Sequence, residues 1–218
     1  MLYLRNLLQA LDLDSLQAAL TRICGILICL TIHETCHGLV AYAMGDPTAK
    51  RMHRLSFNPL RHIDWLGLGM MFLAGFGWAK PVPVDPRYFK KPKLGMAVTA
   101  LAGPVSNILL TIWVLIICKV IYLCNPAEIV WAAVFQFLLG TLAPLSVGLG
   151  VFNLLPFPPL DGSKLVAALL PDRYYAVWMC YERHGILVLL AISYFGLADN
   201  FIGNMIFGVY EVLFNLVF

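Results

Sequence analysis

Charge is what this sequence has least of. Of its 218 residues only 12% are Asp, Glu, Lys or Arg, where an ordinary soluble domain has roughly 25%. So little charge cannot coat a water-soluble globule of this size, and 61% hydrophobic residues with a mean hydropathy of +0.81 agree. Nor do the first residues read as a cleavable leader. The opening MLYLRNLLQALDLDSLQAAL has no charged stretch followed directly by an apolar core and a small-residue cleavage site. The spacing of Leu4, Leu7, Leu8 and Leu11 predicts a short interfacial helix, with Asp14 or Ser15 capping the first spanning helix. Six cysteines form no CxxC pair and lie mostly in apolar runs, which argues for small buried hydrophobes and against a disulfide framework. No repeat, low-complexity tract or second soluble domain is expected, so residues 1–218 read as one integral-membrane domain.

Long apolar runs are what the chain has instead, at 23–44, 94–123, 127–155 and 184–218. About 20 such residues cross a bilayer as a helix. The fold class is therefore an all-α polytopic membrane protein of about five transmembrane helices. They are expected at 16–44, from Leu94 to the CNP turn at 124–126, from 127 to the proline cluster at 155–159, and as two passes or a re-entrant hairpin over 184–218. A short helix is predicted at 161–170. Nine of the fifteen Lys and Arg residues fall in 45–93, so the positive-inside rule puts that loop in the cytoplasm. Arg173 and Arg183 are placed in a loop on the same side. The net charge of +3 reflects this loop and no nucleic-acid surface. Within it, HIDWLGLGMMFLAGFGWAKPVPV is apolar yet too rich in Gly and Pro for a helix; a strand hairpin or membrane-dipping loop is expected, lining protein or a watery cavity.

Into the first apolar run the sequence inserts LTIHETCHGL. Ionisable residues at a helix centre cost roughly 2.5–3.5 kcal/mol each on insertion scales and mark function by default. His33 and His37, four apart, share a helix face and suit one metal ion. Zinc held by two histidines and a carboxylate keeps an open position, where the pKa of water falls towards about 7. Glu34, a quarter turn around, is placed to accept that proton and pass it to a leaving amine. The third ligand is sought among acids at membrane depth, and NLLPFPPLDG offers Asp161 beside a proline-broken segment. Helix capping is its competing role. Asn107, in ALAGPVSNILL, fits a cleft residue steadying a substrate carbonyl and interhelical glue equally well, and so does Asn153.

Taken together, HETCHG at 33–38, NPLRHID at 58–64, GWAKPVPVDPRYFK at 77–90, AGPVSN at 102–107 and NLLPFPPLDG at 153–162 resemble the site-2 protease family of intramembrane zinc metalloproteases. YERHG at 181–185 is similar to the minimal bacterial members, without the PDZ and CBS modules that many relatives carry. The resemblance implies one Zn2+ per chain on His33, His37 and Asp161, Glu34 as general base, and Asn107 and Asn153 near the scissile bond, in a catalytic core of about 23–170. It also implies transmembrane protein substrates, lipid surroundings, a bacterial cell membrane and regulated intramembrane proteolysis. His53 stands where relatives often have Gly; His53 and His62 read as structural loop residues, and His184 as a helix start. Two other classes compete: a catalytically silent relative that binds transmembrane segments as a scaffold, and a metal transporter. The first has no reason to keep Glu34, and the second is disfavoured by the absence of internal repeats.

Overall fold

A computed structural model describes residues 13–65, 67, 80–124, 128–196 and 199–218. The described residues form α1 (Leu13–Ala43), α2 (Thr48–Arg51), α3 (Pro92–Cys124), α4 (Ile129–Phe137), α5 (Ala143–Asn153), α6 (Asp161–Leu169), α7 (Asp172–Tyr194) and α8 (Asp199–Val217), with 3-10 turns at Pro59–Arg61 and Pro86–Tyr88. Four segments among them are long and apolar enough to cross a membrane: Leu16–Ala43, Pro92–Cys124, Ile129–Asn153 and Asn200–Val217. The expected interfacial helix, and the hairpin or dipping loop over 66 and 68–79, lie outside the described residues.

The helix α1 carries no proline and ends where Gly45, at φ 106°, turns the chain, with the Asp46 N–H donating back to the Ala41 carbonyl at 2.9 Å. Asp14 and Ser15 lie inside α1, so neither precedes it as a cap. The span 129–153 is α4 and α5 joined by a π-helical turn, Leu138–Leu142. Pro144 lacks the N–H that would bond the Gly140 carbonyl, and the turn ahead of it widens.

At the centre stands α3, packed against α1, α5, α6 and α8. Cys29, Leu115, Cys118, Ala143 and Val147 are almost fully buried where α1, α3 and α5 meet. Polar glue joins α3 to α5: Ser146 Oγ donates to the Asn107 carbonyl at 2.8 Å and accepts from Asn107 Nδ2 at 3.3 Å.

The C-terminal third departs from expectation. A helix begins at Asp172, not near residue 184, so Arg173, Arg183 and His184 are helical and His184 starts nothing. At 1.5 Å per residue, α7 is about 35 Å long. It then turns at 195–196, and α8 begins at Asp199, which resolves 184–218 into parts of two separate helices. At Gly185 a Cβ would overlap the Pro158 carbonyl, so the missing side chain is what permits this close contact. His53 adopts φ 53°, a left-handed conformation that glycine takes without penalty.

Candidate metal centre

Four residues apart on α1, His33 and His37 stack on one face. Their ring centroids are 4.6 Å apart and the planes meet at 87°. His33 Nδ1 donates to Asn107 Oδ1 at 2.9 Å, and His37 Nδ1 donates to the Thr99 carbonyl at 2.7 Å. Both acceptors are on α3. These bonds put each neutral ring's proton on Nδ1 and leave both Nε2 lone pairs facing Asp161 Oδ2, 3.1 Å from each. Three acceptor atoms thus converge, all within 4.8 Å of one another. Acceptors repel unless a cation lies among them, and two imidazoles with one carboxylate are a zinc donor set. Histidine Nδ1–H groups tied to backbone and amide oxygens are the usual outer support of such a site.

Beneath the two rings lies Gly103 of α3. A Cβ there would sit 2.6 Å from His33 Nε2 and closer still to His37 Nε2, inside the space the donors enclose. Asp161 is the first residue of α6, but the helix has Leu160 at its N-cap position and no side-chain cap. Its carboxylate turns to the histidines through Oδ2, while Lys164 Nζ lies 3.8 Å from Oδ1. Asp161 thus faces the two histidines and makes no side-chain cap.

Glu34 is buried on the same turn of α1, and its Oε2 accepts from the Val82 N–H at 2.8 Å. Asn107 is fully enclosed, and its Nδ2 donates to Ser146 Oγ at 3.3 Å and to the Cys29 carbonyl at 3.5 Å. Its amide therefore holds His33 and lies outside the cavity lining. Asn153 does line the cavity, with Nδ2 donating to the Leu149 carbonyl at 2.9 Å. His62 is buried there too, its Nε2 donating to the Ser56 carbonyl at 2.8 Å, which also accepts from Thr35 Oγ1 on α1.

The cavity measures about 1150 Å3 and reaches from Arg22 on α1, past both histidines, to His62 and Asp64 in the loop. His33 lies ten residues from the end of α1, about 15 Å along the helix axis. At the loop end, Asp85 is held below the usual carboxylate range by the hydrogen-bonding Arg87 guanidinium. Sequence reasoning missed Gly103, Thr99 and Lys164. Gly103 and Lys164 have a sequence signal, one turn before Asn107 and one turn after Asp161; a carbonyl such as that of Thr99 has none.

Comparison with known proteins follows the same line. The model of "Peptidase family M50" matches residues 117–191, which include Asp161. The Bacillus subtilis protein named "Putative zinc metalloprotease YwhC" is 38% identical over 169 residues, 77% of this chain and 77% of that protein. The "Putative zinc metalloprotease Rip2" of Mycobacterium tuberculosis H37Rv is 30% identical over 200 residues, 89% of this chain and 73% of the relative. Its Mycolicibacterium smegmatis namesake is 30% identical over 145 residues, 64% and 53% respectively. No solved structure matches the chain. With four helices among the described residues long and apolar enough to cross a membrane, the chain belongs to peptidase family M50, the site-2 protease family, and is an integral-membrane zinc metalloprotease.

Proposed function

We propose that this protease hydrolyses peptide bonds in or near transmembrane segments of other membrane proteins, as in regulated intramembrane proteolysis. One observation carries the reading: the converging donor set opens on a large cavity bounded by spanning helices, well inside the end of α1. In it His33, His37 and Asp161 hold one zinc per chain, and residues 1–218 act as a single membrane domain with loop 45–93 in the cytoplasm. Zinc bound there supplies Lewis acidity, which polarises the scissile carbonyl and acidifies water. Glu34 takes the proton from water and delivers it to the leaving amine. Asn107 and the Thr99 carbonyl keep the histidine rings turned to the centre, and Lys164 draws Asp161 Oδ1 away from it. Asn153 meets the substrate from the cavity wall. A helical substrate has its carbonyls paired, so it unwinds before it is cut, and Gly, Pro or Asn near the bond favour cleavage.

The test is metal content together with turnover of a single-pass substrate in vesicles. The parent should hold about one zinc per chain, and Asp161→Ala should lose most of it along with activity. Full zinc and full activity in Asp161→Ala would assign the third ligand elsewhere.

A further inference from the structure

The segment KPVPVD, residues 80–85, crosses the site in irregular, non-helical backbone and is tied down at both ends. At one end Lys80 N–H donates to the His62 carbonyl at 2.9 Å, and Arg54 Nη2 donates to the Lys80 carbonyl at 2.7 Å and the Pro81 carbonyl at 3.3 Å. At the other, Asp85 N–H donates to Asp46 Oδ2 at 2.7 Å. Arg54 and Asp46 are buried, and a buried charge is tolerated only with such partners. Between these anchors Pro81 and Pro83 have no N–H, so Val82 supplies the only donor of the triplet. That donor meets Glu34 Oε2 at 2.8 Å, with both residues at least nine-tenths buried.

We propose that the Val82 backbone N–H is the positioning group for the general base, and that the flanking prolines isolate it for that purpose. The inference rests on Glu34 being the base. A glutamate side chain has three free torsions, and a reacting group displaced by about 1 Å can lose about 100-fold in rate. The bond from Val82 fixes Oε2 and leaves Oε1 for the proton. It is charge-assisted and shielded from water, hence strong. Because Arg54, Asp46 and His62 hold the segment independently, the Val82 N–H is not needed to keep it in place. Removing this single hydrogen should therefore impair the proton transfer and nothing else.

The experiment replaces residue 82 by the valine α-hydroxy acid, which turns the amide into an ester and keeps the side chain. Val82→Pro serves as the encoded counterpart and Val82→Ala as the control that retains the N–H. Zinc content, KM and kcat are measured on a single-pass substrate in vesicles. The ester and Val82→Pro should lose about 100-fold in kcat, with KM within about 2-fold and zinc unchanged, while Val82→Ala stays within about 3-fold of the parent. Parental kcat in the ester protein would overturn the proposal. So would a rise in kcat, which would make the bond a restraint on the base, or a parallel loss of zinc, which would make the segment scaffolding. Glu34→Gln run alongside separates the two ideas. If it is inactive while the ester is fully active, only the role of Val82 falls; if it is active, the base assignment falls first.

Discussion

Two spanning helices, α1 and α8, pass a hydropathy test about equally, with mean values of 1.6 and 1.3, and yet they do opposite things. In an 18-residue apolar stretch of α1, 39% is buried, and His33, Glu34 and His37 are buried on this helix, each bonded to a named partner. In α8 only 6% is buried, Glu211 stays exposed, and Leu213 is its one buried core residue. Hydropathy finds a span; the placing of its ionisable residues tells whether the span holds chemistry or faces lipid. Substitutions in the two neighbourhoods should differ accordingly.

The largest effect is expected where α3 meets the α1 histidines. Gly103→Ala puts a methyl group among the donors, so zinc binding and activity should both fall below detection, while the protein remains folded and membrane-inserted. Metal analysis of the purified protein checks this, and retained zinc would break the contrast between a packed α1 face and a tolerant α8. Asn107→Leu keeps the branched shape of the side chain but removes the acceptor of His33 Nδ1. Zinc affinity should drop about 10- to 100-fold, measured by chelator competition, because the outer support of a metal-bound histidine is lost. At the α8 end, Lys119 Nζ donates to the Val217 carbonyl at 2.6 Å. Lys119→Met should destabilise the fold by about 1–2 kcal/mol in a denaturant titration and leave turnover within about 2-fold. A larger loss of activity there would mean that α8 reaches the site.

Much of the centre was legible because the residues concerned are expensive in lipid. His33, Glu34, His37 and Asp161 stand out in an apolar chain, and the prolines at 156, 158 and 159 flag the break beside Asp161. The role of Asn107 stayed open because a sequence does not say which face of α3 meets α1. His184 misled because no residue type in that stretch marks where the helix starts, and α7 begins twelve residues earlier at Asp172. The Thr99 carbonyl and the Val82 N–H carry no residue-type signal at all. Backbone donors and acceptors become specific only through tertiary placement.

The central claim is that α1 buries a general base beside a metal-binding pair. Glu34→Gln tests it most directly, since it keeps the size of the side chain and an acceptor oxygen for the Val82 N–H but removes the basic carboxylate. Zinc per chain and turnover of a single-pass substrate should be measured on the same vesicle preparation. The account predicts about one zinc per chain, as in the parent, with turnover reduced by at least about 100-fold. Cleavage by Glu34→Gln at the parental rate, with zinc in place, would contradict it.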